Sequence, residues 1–118
     1  MNPVKQLPFV AAVAVNNMLY ISGQVGVDPV SGTLTNSSFT AEAHQVMKNI
    51  GQVLEAHKLA YHHLVHVTIY LTNMDNYAET NAVYSQYFNN GYPARVCIAV
   101  KQLPLNASIE ITAIARLL

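Results

Sequence analysis

The chain has 118 residues, 52% of them apolar and 10% charged, enough for one core and too few for two domains. So little charge cannot cover a small monomer, so part of the apolar surface is expected to be buried against another copy of the chain. Six Lys and Arg balance six Asp and Glu, which disfavours a nucleic-acid partner. The lone cysteine, Cys97, excludes a disulfide framework within the chain and suits a reducing, cytoplasmic setting. No export, anchoring or membrane-spanning signal is expected from residues 1–10 or beyond.

Residues 9–15 form an apolar, β-compatible run. Asn16-Asn17 then tolerates a tight hairpin into a second strand over 18–22. Asp28-Pro29-Val30-Ser31-Gly32 is a turn cluster. Ala43, Val46, Met47, Ile50, Val53 and Leu54 make the stripe of an amphipathic helix over 40–58, with Thr40 as N-cap and Glu42 favourable in its first turn. Residues 65–71 alternate as a strand with Val65, Val67, Ile69 and Leu71 inward. Asp75 is the expected N-cap of a second helix carrying Tyr77, Asn81, Tyr84, Tyr87 and Phe88, which Asn89-Asn90-Gly91 ends.

Two further strands, 95–100 and 107–115, are joined through Pro104. The order ββαβαββ predicts a single α+β domain over 1–118, a mixed sheet with both helices on one face.

Alternation puts Arg95, Cys97 and Ala99 on one face of their strand, and Val96, Ile98 and Val100 on the other, which reads as core. In the next strand Ser108, Glu110 and Thr112 oppose the apolar face. If Val100 pairs with Ala107, Cys97 lies opposite Glu110 and Arg95 is one diagonal step away, so a guanidinium, a thiol and a carboxylate share one patch. Arg offers a bidentate fork for a carboxylate, and a partly buried Glu can hold a water and accept its proton. The same residues also read as a surface ion pair, with Cys97 as a small core filler.

Leu19-Tyr20-Ile21-Ser22-Gly23-Gln24, Asp28-Pro29 with Ser31-Gly32, Asn81-Ala82-Val83-Tyr84-Ser85-Gln86-Tyr87-Phe88, Pro93-Ala94-Arg95-Val96-Cys97 and Ile109-Glu110-Ile111 together resemble the signatures of the RidA (YjgF) family, in order along nearly the whole chain. The resemblance implies a chorismate-mutase-like fold assembled as a homotrimer with sites at clefts between subunits. It also implies a metal-free, cofactor-free hydrolase that deaminates 2-iminopropanoate or 2-iminobutanoate to the 2-keto acid and ammonia. By this resemblance Arg95 binds the substrate carboxylate, Glu110 holds the attacking water, and Cys97, Ser22, Gly23 and Phe9 line the pocket.

One departure stands out. The family commonly has Gly-Pro-Tyr-Ser near the N-terminus where this chain reads Leu7-Pro8-Phe9-Val10, so a phenolic hydroxyl is missing from the wall. That favours an alternative in which a non-catalytic regulatory trimer holds small carboxylates at Arg95. Elsewhere, His57, His62, His63 and His66 read as surface histidines without metal-ligand spacing. Asn81 reads as a buried amide bonded to backbone. The lysines have no cofactor context, and no Gly-rich phosphate loop occurs.

Overall fold

The structure is a computed structural model that describes residues 7–117; residues 1–6, which include most of the stretch read for export signals, and Leu118 lie outside it. Its elements are β1 (Ala12–Val15), β2 (Met18–Val25), α1 (Phe39–Ala56), β3 (Leu64–Leu71), α2 (Tyr77–Tyr84), β4 (Ala94–Ala99) and β5 (Ile109–Arg116), with short 3-10 turns between them. This is the expected ββαβαββ order and the expected α+β class. No helix among the described residues is long and apolar enough to cross a membrane.

The β1–β2 hairpin closes through Asn16-Asn17, where Val15 pairs with Met18 and Asn16 takes a left-handed φ of 56°, a conformation that asparagine tolerates. Phe9 precedes the first strand instead of lying in it. In the turn that follows β2, the Asp28 carboxylate accepts the Val30 N–H at 2.8 Å and Gly32 supplies a φ of 75°.

α1 buries Ala43, Val46, Met47, Ile50 and Leu54 on the sheet, as its stripe predicts. Its N-cap is Ser38, whose side chain accepts the Ala41 N–H at 3.0 Å; Thr40, the expected cap, is instead inside the first turn, where its hydroxyl donates to Glu79 on α2. Glu42 does more than favour the helix dipole. It is buried and its carboxylate accepts the Ser108 N–H at 2.7 Å, while Asn49 donates to the Val25 and Val27 carbonyls at 3.0 and 2.9 Å. These two polar side chains pin the end of β2 and the start of β5 to α1, satisfying backbone groups that burial would otherwise orphan. At the start of β3 a register shift between Leu64 and His66 turns Leu64 inward and leaves Val65 exposed, against the simple alternation. Asp75 does not cap α2; it lies in a 3-10 turn capped by Asn73, and α2 starts without a side-chain cap.

The sheet order is β1-β2-β5-β3-β4. β5 lies between β2 and β3, antiparallel to both, whereas β4 sits at the edge and runs parallel to β3. The expected hairpin between β4 and β5 is therefore wrong. The reason is the α2 crossover: a strand, a helix and a strand in series form a parallel unit, so β4 returns beside β3 on its outer side and the Pro104 connection must pass β3 to reach β5. Cys97 pairs with Ile69, and Glu110 with Tyr70 and Val25, not with each other.

The inward face of the sheet carries Leu19, Ile21, Val67, Ile69, Leu71, Ile109, Ile111, Ala113 and Ala115 against the helices. Each fully buried Leu or Ile contributes about 1.5–3 kcal/mol of transfer free energy. The other face has no helix. It presents Val13, Val15, Tyr20, Val96 and Ile98, each between 42% and 49% exposed. Val96 and Ile98, expected in the core, thus point outward, because α2 covers the opposite side of β4.

Candidate functional site

Arg95 and Cys97 pair with the core residues Val67 and Ile69 of the parallel neighbour, so both lie on the helix side of the edge strand. There Arg95 meets a stripe of α2 at positions 77, 81 and 84, one helical face by their spacing. Its Nη2 donates to the Asn81 side-chain carbonyl at 2.7 Å and to the Tyr77 hydroxyl at 3.4 Å. Its guanidinium carbon stands 4.9 Å from the Tyr84 ring centre and 5.8 Å from that of Tyr77, within cation–π range. Asn81 is therefore a partner of the arginine, not of the backbone. Tyr84 is buried, and burial pushes its phenol up to about 12 against the opposing pull of Arg95. A cleft of about 290 Å³ opens beside the guanidinium, lined by Asn81, Tyr84, Ser85, Tyr92, Pro93 and Arg95.

Cys97 is half-buried and packs on the core cluster. Burial pushes its thiol up more than the Arg95 charge pulls it down, which keeps it a thiol and not a thiolate at neutral pH.

The other expected residues collect elsewhere. A register shift in β2 between Ile21 and Gln24 contains Ser22 and Gly23. The bulge brings the backbone up to β5 so closely that a side chain on Gly23 would strike the Glu110 carboxylate. Ser22 donates its hydroxyl to the Val10 carbonyl at 2.6 Å, and its N–H to the Ala11 carbonyl at 2.9 Å, tying the segment that carries Phe9 to the same bulge. Phe9 itself is 60% exposed. Partial burial raises the Glu110 carboxyl above its ordinary value of 4.5.

The residues named from the sequence thus fall into two groups: Arg95 with Cys97, and Glu110 with Ser22, Gly23 and the Phe9 segment. The shared patch within one chain does not exist. Glu110 pairs with Tyr70, on the face away from the helices, while Arg95 pairs with Val67, on the face towards them. Tyr77 and Tyr84 are legible in the sequence only as core aromatics; the signal that ties them to the arginine is their 77/81/84 spacing around Asn81.

Each group is chemically incomplete. The Arg95 cleft can bind a carboxylate: its guanidinium lies over the Tyr84 ring, and in hydrogen bonds to the described side chains only Nη2 is engaged. The Glu110 group can hold and deprotonate a water beside an exposed apolar sheet face.

Residues 2–117 match the family model described as Endoribonuclease L-PSP. A human relative named 2-iminobutanoate/2-iminopropanoate deaminase is 39% identical over 108 residues, covering 92% of this chain and 79% of its own. The crystal structure of RidA from the Antarctic bacterium Psychrobacter sp. PAMC 21119 superposes with a TM-score of 0.90 at 34% identity, over 97% of this chain and 92% of that one. That of E. coli TdcF with bound serine does so at 0.89 and 30%, over 97% and 91%. On its sequence over nearly its full length and on its fold, this chain belongs to the RidA (YjgF/RutC) family.

Proposed function

We propose that the protein hydrolyses short 2-imino acids to 2-keto acids and ammonia, at a cleft completed only when Arg95 of one copy meets the Glu110 group of a second copy in a homotrimer. The observation that carries the reading is the guanidinium of Arg95, held over the Tyr84 ring and bonded to Asn81, with donors to spare for a carboxylate. The deaminase name of the human relative and the serine bound by TdcF support a small ligand with a carboxylate next to a nitrogen-bearing carbon. The apolar outer sheet face, where Glu110 lies, supports burial against another copy. The lone Cys97 supports a reducing compartment such as the cytoplasm.

In this reading Arg95 holds the substrate carboxylate and so orients the imine carbon for attack. Glu110 takes a proton from water as the oxygen bonds to that carbon, and the C=N double bond becomes a single bond. That proton passes to nitrogen to give a carbinolamine; the hydroxyl proton then also moves to nitrogen through Glu110, the C–N bond breaks with its electron pair, and ammonia leaves as the carbonyl forms. No oxidant and no cofactor enter the balance. Ser22, Gly23 and Phe9 shape the wall around the water, and Cys97 packs beneath Arg95.

The test couples the protein to a PLP-dependent threonine dehydratase, which releases 2-aminocrotonate and its imine, and follows 2-oxobutanoate formation. Acceleration by the wild type that Arg95→Ala loses supports hydrolysis. The absence of a hydroxyl on Phe9 favours a second reading, a binding trimer that holds keto acids without turning over imines. That reading predicts no acceleration but Arg95-dependent binding of 2-oxobutanoate.

A further inference from the structure

Three α2 side chains meet Arg95, and they meet it in different ways. Tyr84 offers its ring face, and its hydroxyl is sealed from solvent with no hydrogen-bond partner among the described residues. Asn81 offers a carbonyl oxygen to Nη2. Tyr77 offers its hydroxyl oxygen to the same nitrogen at 3.4 Å and remains 43% exposed at the rim of the arginine's surroundings.

A phenol that accepts an N–H from a cation keeps its own hydrogen to donate, and the neighbouring charge makes it a better donor. No described residue accepts that hydrogen. Tyr84 occupies one side of the guanidinium, with its ring centre 4.9 Å from the guanidinium carbon, and Asn81 holds Nη2, so a carboxylate binds at the donors these two leave open. The phenolic oxygen of Tyr77 already stands at the fork. Phe9, the aromatic residue expected in the pocket wall, has no hydroxyl to contribute.

We propose that Tyr77 is a substrate-binding residue whose hydroxyl donates a hydrogen bond to the ligand carboxylate beside the Arg95 fork. This rests on the reading of Arg95 as the carboxylate anchor. The acid carboxylate is then held by a cation and a neutral donor together. A ligand whose carboxylate is replaced by an uncharged ester loses the charge pairing and the second acceptor oxygen, and keeps only one weaker carbonyl acceptor.

The experiment measures calorimetric binding of 2-oxobutanoate and steady-state rates in the dehydratase-coupled assay for wild type, Tyr77→Phe, Tyr77→Leu and Arg95→Ala. Tyr77→Phe keeps the ring over the guanidinium and removes only the hydroxyl. It is expected to weaken keto acid binding and raise KM about 10- to 100-fold, as for one hydrogen bond to a charged group, with kcat within about twofold and an unchanged melting temperature. Tyr77→Phe binding like wild type while Arg95→Ala does not bind overturns the role of the hydroxyl and leaves the anchor standing; if in addition Tyr77→Leu is weakened, only the ring matters. Arg95→Ala binding like wild type overturns the anchor itself.

Discussion

Arg95 and Glu110 project from opposite faces of the same sheet, with β3 between their strands: Arg95 pairs with Val67, which looks into the core, and Glu110 with Tyr70, which looks away from it. No rotamer change can bring the two together through a hydrogen-bonded strand. A reaction that uses both must draw them from different copies.

That requirement gives a complementation test. Arg95→Ala alone and Glu110→Gln alone are each expected to be inactive. When the two are mixed, unfolded and refolded together, a cleft is intact only if its arginine comes from the Glu110→Gln chain and its glutamate from the Arg95→Ala chain. Random assembly at equal amounts into a closed ring makes about a quarter of the clefts intact. Recovery of about a quarter of wild-type activity is expected, and a mixture as inactive as its parents removes the shared cleft.

Asn81 fixes the direction of the fork. Asn81→Leu keeps the size and helix propensity while deleting the acceptor for Nη2, so the guanidinium swings among rotamers and binding must order it. Its KM is expected to rise about five- to tenfold, with kcat reduced less. A lysine in place of the arginine cannot provide the bidentate fork, so Arg95→Lys should lose about 10- to 100-fold in kcat/KM despite keeping the charge. An Arg95→Lys variant as active as wild type in the coupled assay contradicts a fork.

Gly23 separates position from presence. The side chain of Gly23→Ala would strike the carboxylate of Glu110, a group that can rotate away, and Gly23 has no left-handed φ to lose. The fold should survive with its melting temperature little changed, while displacement of the carboxylate proposed to hold the water lowers kcat by about tenfold or more. A variant both stable and fully active shows that the bulge does not position Glu110.

The acid side of the pH profile follows from Glu110. Its carboxyl is raised by burial, and the ionised form is the one that accepts a proton from water. Activity should therefore rise with pH through a midpoint above the ordinary 4.5 of a glutamate. The stability sign is opposite. A carboxyl whose folded value is raised favours folding when protonated and disfavours it when ionised. Glu110→Gln should thus match wild type in melting temperature below the unfolded value and exceed it once the pH passes the folded one. A gap that widens on acidification reverses this assignment.

The sequence carries the element order because its periodicities are local: the α1 stripe, the Asn16-Asn17 turn and the alternation from Ile109 onwards are each written within a few residues. Pairing is not local. Nothing in 95–115 records that β5 slips between β2 and β3, and a short connection with a proline reads as a hairpin until the α2 crossover makes β4 parallel. The same non-local step turns β4 over: Val96 and Ile98 look like core, but the helix lies on the Arg95 side. The candidate site residues are legible through motif resemblance, yet their division into two groups depends on the register. Asn81 is visible as an unusual amide on an aromatic stripe, and its partner is not, because β4 approaches α2 only in three dimensions.

Cys97 provides the last discrimination. It sits two residues beyond Arg95 on the same face, beside Ile69, and packs on the core. A nucleophilic role requires a thiolate, and burial raises this thiol despite the nearby guanidinium. Cys97→Ala should therefore cost about 1 kcal/mol or less in stability, as for a small half-buried side chain, and keep at least about half of kcat. Alkylation by iodoacetamide should be slow at pH 7 and accelerate only above the ordinary thiol range. Loss of turnover in Cys97→Ala with keto acid binding intact would instead place the sulfur in the chemical step.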